Sequence, residues 1–193
     1  MGEKLQRLAK RLEKVDGTHA LYYSLVSEID SPENIVLGVK EPRTWLTQLG
    51  MRMSFQDPKQ QMMFLDAMTY LPDDILVKVD RAAMANSLET RVPFLDHRLV
   101  ELAWRMPMSM KMRDGQTKWL LRQVLYQYVP KELIERPKAG FAVPLGQWLR
   151  GPLKDWVESL LNPARLGQEG YFNVYYVREL WQAHLSGKRN HQS

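Results

Sequence analysis

The sequence contains no cysteine among its 193 residues. This absence excludes disulfide bridges, thiolate metal sites and a cysteine nucleophile from the chain, and it fits a reducing compartment. The sequence also has no run of about 20 consecutive apolar residues, the length that a membrane-spanning helix needs. Residues 1–12 alternate charged residues with leucine and contain no apolar block of the kind found in secretory signals. We therefore expect a soluble, cytoplasmic protein without a membrane partner.

Several standard enzyme motifs are missing as well. The sequence has no glycine-rich phosphate loop of either standard type, no nucleophile elbow and no His-Glu metalloprotease motif. The histidines at 97, 184 and 191 are too widely spaced in the sequence to suggest a metal site, so we expect none.

The composition is that of a folded protein with a mildly basic surface. Hydrophobic residues make up 45% of the chain and charged residues 25%, which is ordinary for a globular protein. The net charge of +5 is compatible with nucleic acid, an acidic membrane or a polyphosphate ligand as partner. The excess is small, and no zinc-finger spacing or RNA-binding aromatic motif accompanies it, so we do not expect nucleic-acid binding.

Helical periodicity dominates the chain and predicts the all-α class. Leu5, Leu8 and Leu12 recur at spacings of three and four, as on one face of a helix. No convincing strand alternation or internal repeat is present. Helices are predicted at residues 3–15, 18–29 and 45–49, from Asp57-Pro58, from Pro72, and at 97–106, 117–128, 151–161 and 174–186, with loops at 30–43, 87–95 and 136–144.

The helix after Pro72 carries a further prediction. Ile75, Leu76, Val79 and Ala82-Ala83 recur as on one side of a helix, and this pattern predicts a buried face.

The densest polar cluster begins in that helix and continues into the irregular segment after it. A functional interpretation is that the segment presents charged groups to a ligand. The structural alternative is a helix end stabilised by ion pairs of Asp80 with Arg81, Lys78 or Arg91. The cluster comprises Lys78, Asp80, Arg81, Ser87, Glu89, Arg91 and Asp96.

A second candidate is the segment Arg136-Pro137-Lys138-Ala139-Gly140-Phe141. Pro137 restricts the backbone on both sides, and Gly140 permits a turn, so the segment should present two cations on a stiff loop. Such cations suit phosphate oxygens, although an exposed basic turn is the structural alternative. Lys118 is a third cation that folding could bring near them.

Three motifs resemble the C-terminal synthetase domain of glutamine-hydrolysing asparagine synthetases. The resemblance is strong over residues 57–193 and weak over 1–56, which we interpret as a variable helical segment. The motifs are Tyr-Leu-Pro-Asp-Asp-Ile-Leu-Val-Lys-Val-Asp-Arg at 70–81 with its continuation at 84–96, Arg-Pro-Lys-Ala-Gly-Phe-Ala-Val-Pro at 136–144, and Trp-Leu-Arg-Gly-Pro-Leu at 148–153.

The resemblance implies both a fold and a reaction. The parent domain would be an adenine-nucleotide hydrolase-like α/β domain, of which this chain supplies the helical C-terminal portion. The parent enzyme would use Mg-ATP to adenylate a carboxylate, that of aspartate in the first instance. Ammonia from a glutaminase domain would then attack the activated carbonyl and give the amide.

The resemblance also implies roles for individual residues. Glu89 would accept a proton from the attacking amine, and Lys138 would stabilise charge near the reacting phosphate and carbonyl. Lys118 and Arg136 would contact phosphate oxygens of ATP or pyrophosphate. Structural roles would fall to the pairs Asp80 with Arg81 and Arg91 with Asp96, and to Pro93 and Phe94 as anchors in the core.

The departures from the family pattern restrict these expectations. The sequence has neither a Ser-Gly-Gly-x-Asp-Ser pyrophosphate loop nor a Gly-Asp-Glu-type acidic segment for magnesium, and without cysteine it has no glutaminase. We therefore expect a fragment that is inactive alone. Alternatives are a ligase acting on another carboxylate, such as a sugar acid, and a helical interaction or scaffold module. A homodimer through exposed apolar surface is also expected.

Overall fold

The computed structural model describes residues 15–29, 31–48, 55–137 and 143–191. Helix dominates these ranges, and the regular sheet within them is one hairpin of two strands with two residues each. The predicted helical class is therefore confirmed. The helix predicted at 3–15 lies outside the described residues apart from Val15. No helix in the described ranges is long and apolar enough to cross a bilayer.

The chain forms two compact units. The first contains the described residues up to Thr69 and those from Val143 onward, and the second begins at Tyr70. The first unit opens with α1 (Gly17–Val26), a 3₁₀ turn (Pro32–Asn34), α2 (Trp45–Gln48) and α3 (Pro58–Met68). The second holds a π-helical segment (Leu71–Leu76), α4 (Val77–Met84), a 3₁₀ turn (Pro93–Leu95), α5 (His97–Arg105), α6 (Met108–Lys111), β1 (Met112–Arg113), β2 (Gln116–Thr117), α7 (Trp119–Leu125) and α8 (Lys131–Ile134). The first unit resumes with α9 (Leu145–Arg150), α10 (Lys154–Leu160), α11 (Pro163–Glu169) and α12 (Val174–Leu185).

Side-chain caps fix the starts of several helices. The Asp57 carboxylate accepts from the Lys59 amide at 2.8 Å, and Pro58 occupies the first turn, as predicted. Asn162 caps α11, and Asn173 caps α12, by accepting from backbone amides in the first turn. At the other end of α12, Gly187 adopts a φ of 70°, the left-handed conformation that ends helices.

The core of the first unit has two parts. Where α1 packs against α3, Tyr22 and Leu65 are buried, and the Tyr22 hydroxyl donates to Asp66 at 2.8 Å. Where α12 packs against α9 and α11, the buried residues are Gly146, Leu166, Trp181 and His184.

A hairpin organises the second unit. Met112 pairs with Thr117 and Arg113 with Gln116, and the two turn residues, Asp114 and Gly115, have φ values of 49° and 77°. Two positive φ angles in a two-residue turn define the type I′ geometry that Asp-Gly favours. The hairpin shortens the helix predicted at 117–128, because Thr117 belongs to β2 and α7 begins only at Trp119.

Other helix boundaries also differ from prediction. The helix predicted at 18–29 spans Gly17–Val26. The helix predicted at 151–161 begins at Lys154, because Gly151-Pro152 separates it from α9. The short helices α6, α8, α9 and α11 lacked enough periodic turns to be recognised in the sequence.

The predicted start at Pro72 is correct to within one residue, but the predicted buried face is wrong. The π-helical segment begins at Leu71 and leads directly into α4, which contains no buried residue. Val79 is 41% exposed. Leu76 and Val79 instead line an open groove together with residues of the 90–99 stretch, so this side of the helix faces a solvent-filled space.

Candidate functional site

Glu89 lies in the irregular segment that follows α4. Helix α4 ends at Met84, and Ser87 follows with a left-handed φ of 56°, while the Leu88 amide donates to the Ala83 carbonyl at 3.0 Å. The Glu89 carboxylate forms an ion pair with Arg91, and the two side chains are 69% and 86% exposed. Such exposed pairs are weak, so Glu89 is accessible to a ligand.

The ion pairs around Glu89 are not the expected ones. Asp96 caps α5 by accepting from the Arg98 amide at 2.9 Å, and it also accepts from the Arg98 guanidinium at 2.7 Å. Both bonds lower the pKa of Asp96, and the bond from the Arg98 side chain has the larger effect. Arg91 pairs with Glu89 rather than with Asp96. Lys78 pairs with Asp74 at 2.5 Å, and Asp80 and Arg81 form no ion pair among the described residues.

An open groove of about 1060 Å³ lies beside this segment in the second unit. Thr90 and Arg91, directly after Glu89, form part of its lining. Phe94, predicted to anchor the segment in the core, is 63% exposed, so that expectation is wrong. The groove combines an apolar floor with two acids and two arginines; its lining includes Leu76, Val79, Leu99, Asp80, Asp96, Arg91 and Arg98.

A second polar centre, which we name the Glu135 cluster, consists of Gln116, Arg122, Tyr126 and Glu135. One carboxylate oxygen, Oε1 of Glu135, accepts from Arg122 Nη1 at 2.6 Å, from Gln116 Nε2 at 3.1 Å and from the Tyr126 hydroxyl. The bond from Tyr126, followed by that from Arg122, lowers the pKa of Glu135. The carboxylate is therefore ionised at neutral pH and ties β2, α7 and the end of α8 together.

Arg122 makes a second connection, to the hairpin. Its Nε donates to the Thr117 carbonyl at 3.0 Å. The next residue, Lys118, has a φ of 56°, and its carbonyl accepts from the Arg122 amide at 2.9 Å. Trp119 follows, with the Arg113 guanidinium 3.8 Å from its ring centroid. The backbone around Lys118 is thus held from several sides.

The predicted phosphate-binding cations, Lys118 and Arg136, are both exposed. Neither forms an ion pair with another residue in the described part of the chain, whereas Arg91, Arg98 and Arg122 of the same unit all do. Both lie next to the Glu135 cluster: Lys118 follows Thr117, and Arg136 follows Glu135. Lys138 lies outside the described residues. No hydrogen bond or ion pair between described residues joins Glu89 to this cluster.

The Glu135 cluster was missed in the sequence, although it left signals there. Asp114-Gly115 between two short polar-apolar stretches predicts a type I′ hairpin. Arg122 and Tyr126 are four residues apart, so they share one helix face. Glu135, the acid directly before Arg136, was the third such feature of the sequence.

The described residues offer cations that suit phosphate, but no cluster of metal-binding side chains. Exposed lysine and arginine side chains match the charge and geometry of phosphate oxygens. Within the described ranges, no group of three or more histidine, aspartate or glutamate side chains is arranged to hold a metal ion. We therefore assign no magnesium ligand among the described residues.

Comparison with known proteins gives consistent results. The family model described as asparagine synthase matches residues 2–193. The chain is 37% identical over 128 residues to glutamine-hydrolysing asparagine synthetase 1 of Bacillus subtilis, an alignment that covers 66% of this chain and 20% of that protein. It is 39% identical over 136 residues to a putative glutamine-hydrolysing asparagine synthetase of Mycobacterium tuberculosis, covering 70% and 21%.

A human relative is more distant. The chain is 31% identical over 129 residues to the glutamine-hydrolysing asparagine synthetase of Homo sapiens, covering 58% of this chain and 23% of that protein. The chain thus spans about a fifth of the length of the curated relatives that it matches. No solved structure matches it significantly.

Proposed function

Because the chain belongs to the asparagine synthase family, we propose that it forms the helical C-terminal part of an ATP-dependent amidotransferase. The proposed substrate is aspartate and the product asparagine, as the names of its relatives suggest. The observation that carries this proposal is the match of the family model to residues 2–193. The exposed cations without an ion-pair partner in the described part of the chain agree with it.

The proposed reaction has two steps. In the first, the carboxylate attacks the α-phosphate of ATP, which forms an acyl-adenylate and releases pyrophosphate. In the second, ammonia derived from glutamine attacks the carbonyl carbon, and AMP leaves. The proton lost from the attacking nitrogen passes to Glu89, whose exposed carboxylate is available as a base.

The cations have a separate role in this proposal. Lys118 and Arg136 bind phosphate oxygens of ATP and of the departing pyrophosphate. Lys138 stabilises the negative charge that develops near the reacting phosphate and carbonyl. Magnesium accompanies ATP in the proposed reaction, and the described residues contain no cluster of three or more side chains that could hold it.

The role of Glu89 can be tested in a synthetase that contains this region together with an ATP-binding loop. Glu89→Gln keeps the size of the side chain but removes the base. We expect amide formation to fall about 10²- to 10⁴-fold, the usual contribution of a general base. Adenylation, measured as pyrophosphate exchange into ATP, should fall much less. Equal loss of both activities would contradict the proton-transfer role.

The role of Lys138 requires a different measurement in the same enzyme. Lys138→Ala should abolish amide formation but leave glutamine hydrolysis intact, because the glutaminase reaction does not use this lysine. Lys188, an exposed lysine of the first unit, provides the control: Lys188→Ala removes the same charge and should leave both activities unchanged. Retained amide synthesis in Lys138→Ala would exclude the assignment.

We further propose that this chain does not complete the reaction alone, because it contains no Ser-Gly-Gly-x-Asp-Ser loop and no cysteine for a glutaminase. The proposed location is the cytoplasm, and the proposed partner is a glutaminase domain. The division into a variable segment at 1–56 and a synthetase-like region at 57–193 also stays a proposal. A scaffold module derived from this family would show neither pyrophosphate binding nor dependence on Glu89.

A further inference from the structure

We propose that Arg122 and Glu135 are positioning residues that hold Lys118 and Arg136 in place to bind a phosphate-bearing ligand. The inference rests on the proposed function, because it assumes that these two cations contact phosphate. It goes beyond that function by assigning a task to an ion pair that touches no phosphate itself.

The first argument is the convergence of three donors on one oxygen. Oε1 of Glu135 accepts from Arg122 at 2.6 Å, from Gln116 at 3.1 Å and from Tyr126. The donors come from β2, from α7 and from Tyr126, the residue directly after α7. Glu135 is the residue that ends α8, and the next residue is Arg136. The three bonds therefore fix the point at which the basic segment leaves α8.

The second argument concerns Lys118. This residue occupies the left-handed region, which is sterically unfavourable for a residue with a Cβ atom. Two contacts hold it there: the Arg122 side chain binds the carbonyl of Thr117 at 3.0 Å, and the Arg122 amide binds the carbonyl of Lys118 at 2.9 Å. A single guanidinium thus connects the residue before Lys118 to the residue before Arg136.

The arrangement leaves the two cations free for a ligand. Lys118 is held through the Thr117 carbonyl and Arg136 through the Glu135 carboxylate, and neither cationic side chain forms an ion pair with a described residue. A guanidinium suits this task better than an ammonium, because its rigid fork can bind two acceptors at fixed angles. We expect the spacing of the two charges to follow the Arg122–Glu135 contact.

The first unit contains a closely matched ion pair. Arg178 Nη1 lies 2.6 Å from Glu158 and also donates to the Leu161 carbonyl at 3.2 Å, while Trp181 donates to the same carboxylate at 2.8 Å. The side chains of Arg178 and Glu158 are 23% and 34% exposed, against 22% and 33% for Arg122 and Glu135. This pair controls for the loss of an ion pair as such.

The experiment measures the binding of inorganic pyrophosphate to the full 193-residue chain by calorimetry at one low salt concentration. Glu135→Gln removes a negative charge near two cations, so charge alone predicts tighter binding of the anion. Positioning predicts the opposite, a loss of about threefold to tenfold, which lies within the range of coupling between contacting groups. Glu158→Gln changes the net charge by the same amount and should not weaken binding.

Two further variants complete the design. Arg122→Lys keeps the net charge but cannot bind Thr117 and Glu135 in the same geometry, so it should weaken binding as Glu135→Gln does. Thermal unfolding of each variant will show whether it folds. If Glu135→Gln does not fold, Arg122→Lys alone tests the positioning proposal. Lys118→Ala tests the proposed function itself and should weaken binding regardless of how the lysine is positioned.

The outcomes separate the two proposals. Weaker binding in Glu135→Gln and Arg122→Lys, with normal binding in Glu158→Gln, supports positioning. Unchanged or tighter binding in Glu135→Gln and Arg122→Lys, with loss in Lys118→Ala, overturns positioning and leaves the proposed function intact. Absence of pyrophosphate binding by the unmodified chain, or normal binding by Lys118→Ala, overturns the phosphate-binding role and the positioning proposal with it.

Discussion

At the scale of the residue, His184 shows how burial decides the charge of a side chain. It is fully buried, its ring stacks on Trp181 with 6° between the planes, and its Nδ1 accepts from the His191 amide at 3.0 Å. Burial, followed by the positive charge of Arg150, lowers the pKa of His184, and a hydrogen bond with the Gly146 backbone opposes part of this shift. The imidazole is therefore neutral in the folded protein.

This lowered pKa predicts a loss of stability in mild acid. The unfolded chain protonates the imidazole near pH 6.5, whereas the folded chain resists protonation until a lower pH. Below about pH 6.5 the unfolded state therefore binds more protons, and the free energy of unfolding decreases as the pH falls. Denaturant unfolding at several pH values should show this slope in the unmodified chain and a flatter one in His184→Gln.

Exposed His97 provides the control for that experiment. His97→Gln also removes one histidine, but from a residue that is not buried, and its stability should follow pH as in the unmodified chain. Equal slopes in all three proteins would contradict the assignment to His184. The difference between variants is the informative quantity, because the contributions of the other titrating groups cancel.

At the scale of the element, some helix ends can be predicted from the sequence and others cannot. The starts at Asp57-Pro58 and Pro72 and the end before Pro107 were predictable, because capping and backbone restriction act within a few residues. The start of α7 was not predictable from helical periodicity, because it depends on the hairpin and on the left-handed Lys118.

The candidate site also contains residues that could be predicted from the sequence and residues that could not. Glu89 and Arg136 lie in the motifs that carry the family resemblance, and Lys118 was identified as a third cation that folding could bring near the basic segment. The Glu135 cluster, which lies next to Lys118 and Arg136, was missed. Its ion pair joins Arg122 and Glu135, which are 13 residues apart in the sequence and come into contact only in the folded chain. Side-chain contacts of this kind leave no periodic pattern in a single sequence.

The end of α4 gives a prediction about stability. Ser87 adopts a left-handed φ of 56°, a conformation that glycine reaches without the steric cost of a Cβ atom. Ser87→Gly should therefore raise the free energy of unfolding by about 0.5 kcal/mol, after allowance for the greater flexibility of glycine in the unfolded chain. Chemical denaturation would measure the change.

The same substitution inside a helix should have the opposite sign. Ser159 lies within α10, where its hydroxyl donates to the Trp156 carbonyl at 2.6 Å. Ser159→Gly should lower the free energy of unfolding by about 0.5 kcal/mol, because glycine is a poorer helix former than serine. Destabilisation by both substitutions would show that Ser87 is not strained.

At the scale of the whole molecule, apolar side chains remain in contact with solvent. The segment after α4 exposes Leu88 by 61% and Phe94 by 63%, and Val92 and Leu95 also contribute apolar surface. Exposed patches of this kind usually mark surfaces that another protein element covers. The segment also borders the open groove, so its apolar residues continue the apolar lining.

We therefore predict that the chain self-associates through residues 88–95, as the proposed homodimer requires. Sedimentation should show an average mass that rises with protein concentration, because association follows mass action. Leu88→Ser with Phe94→Ser should shift this equilibrium toward the monomer. Leu25→Ser with Leu37→Ser, which removes two exposed leucines of the first unit, should leave association unchanged. A monomer at all concentrations, or equal effects of both double variants, would rule out this surface, because apolar burial at a specific interface depends on where the residues lie and not on their number.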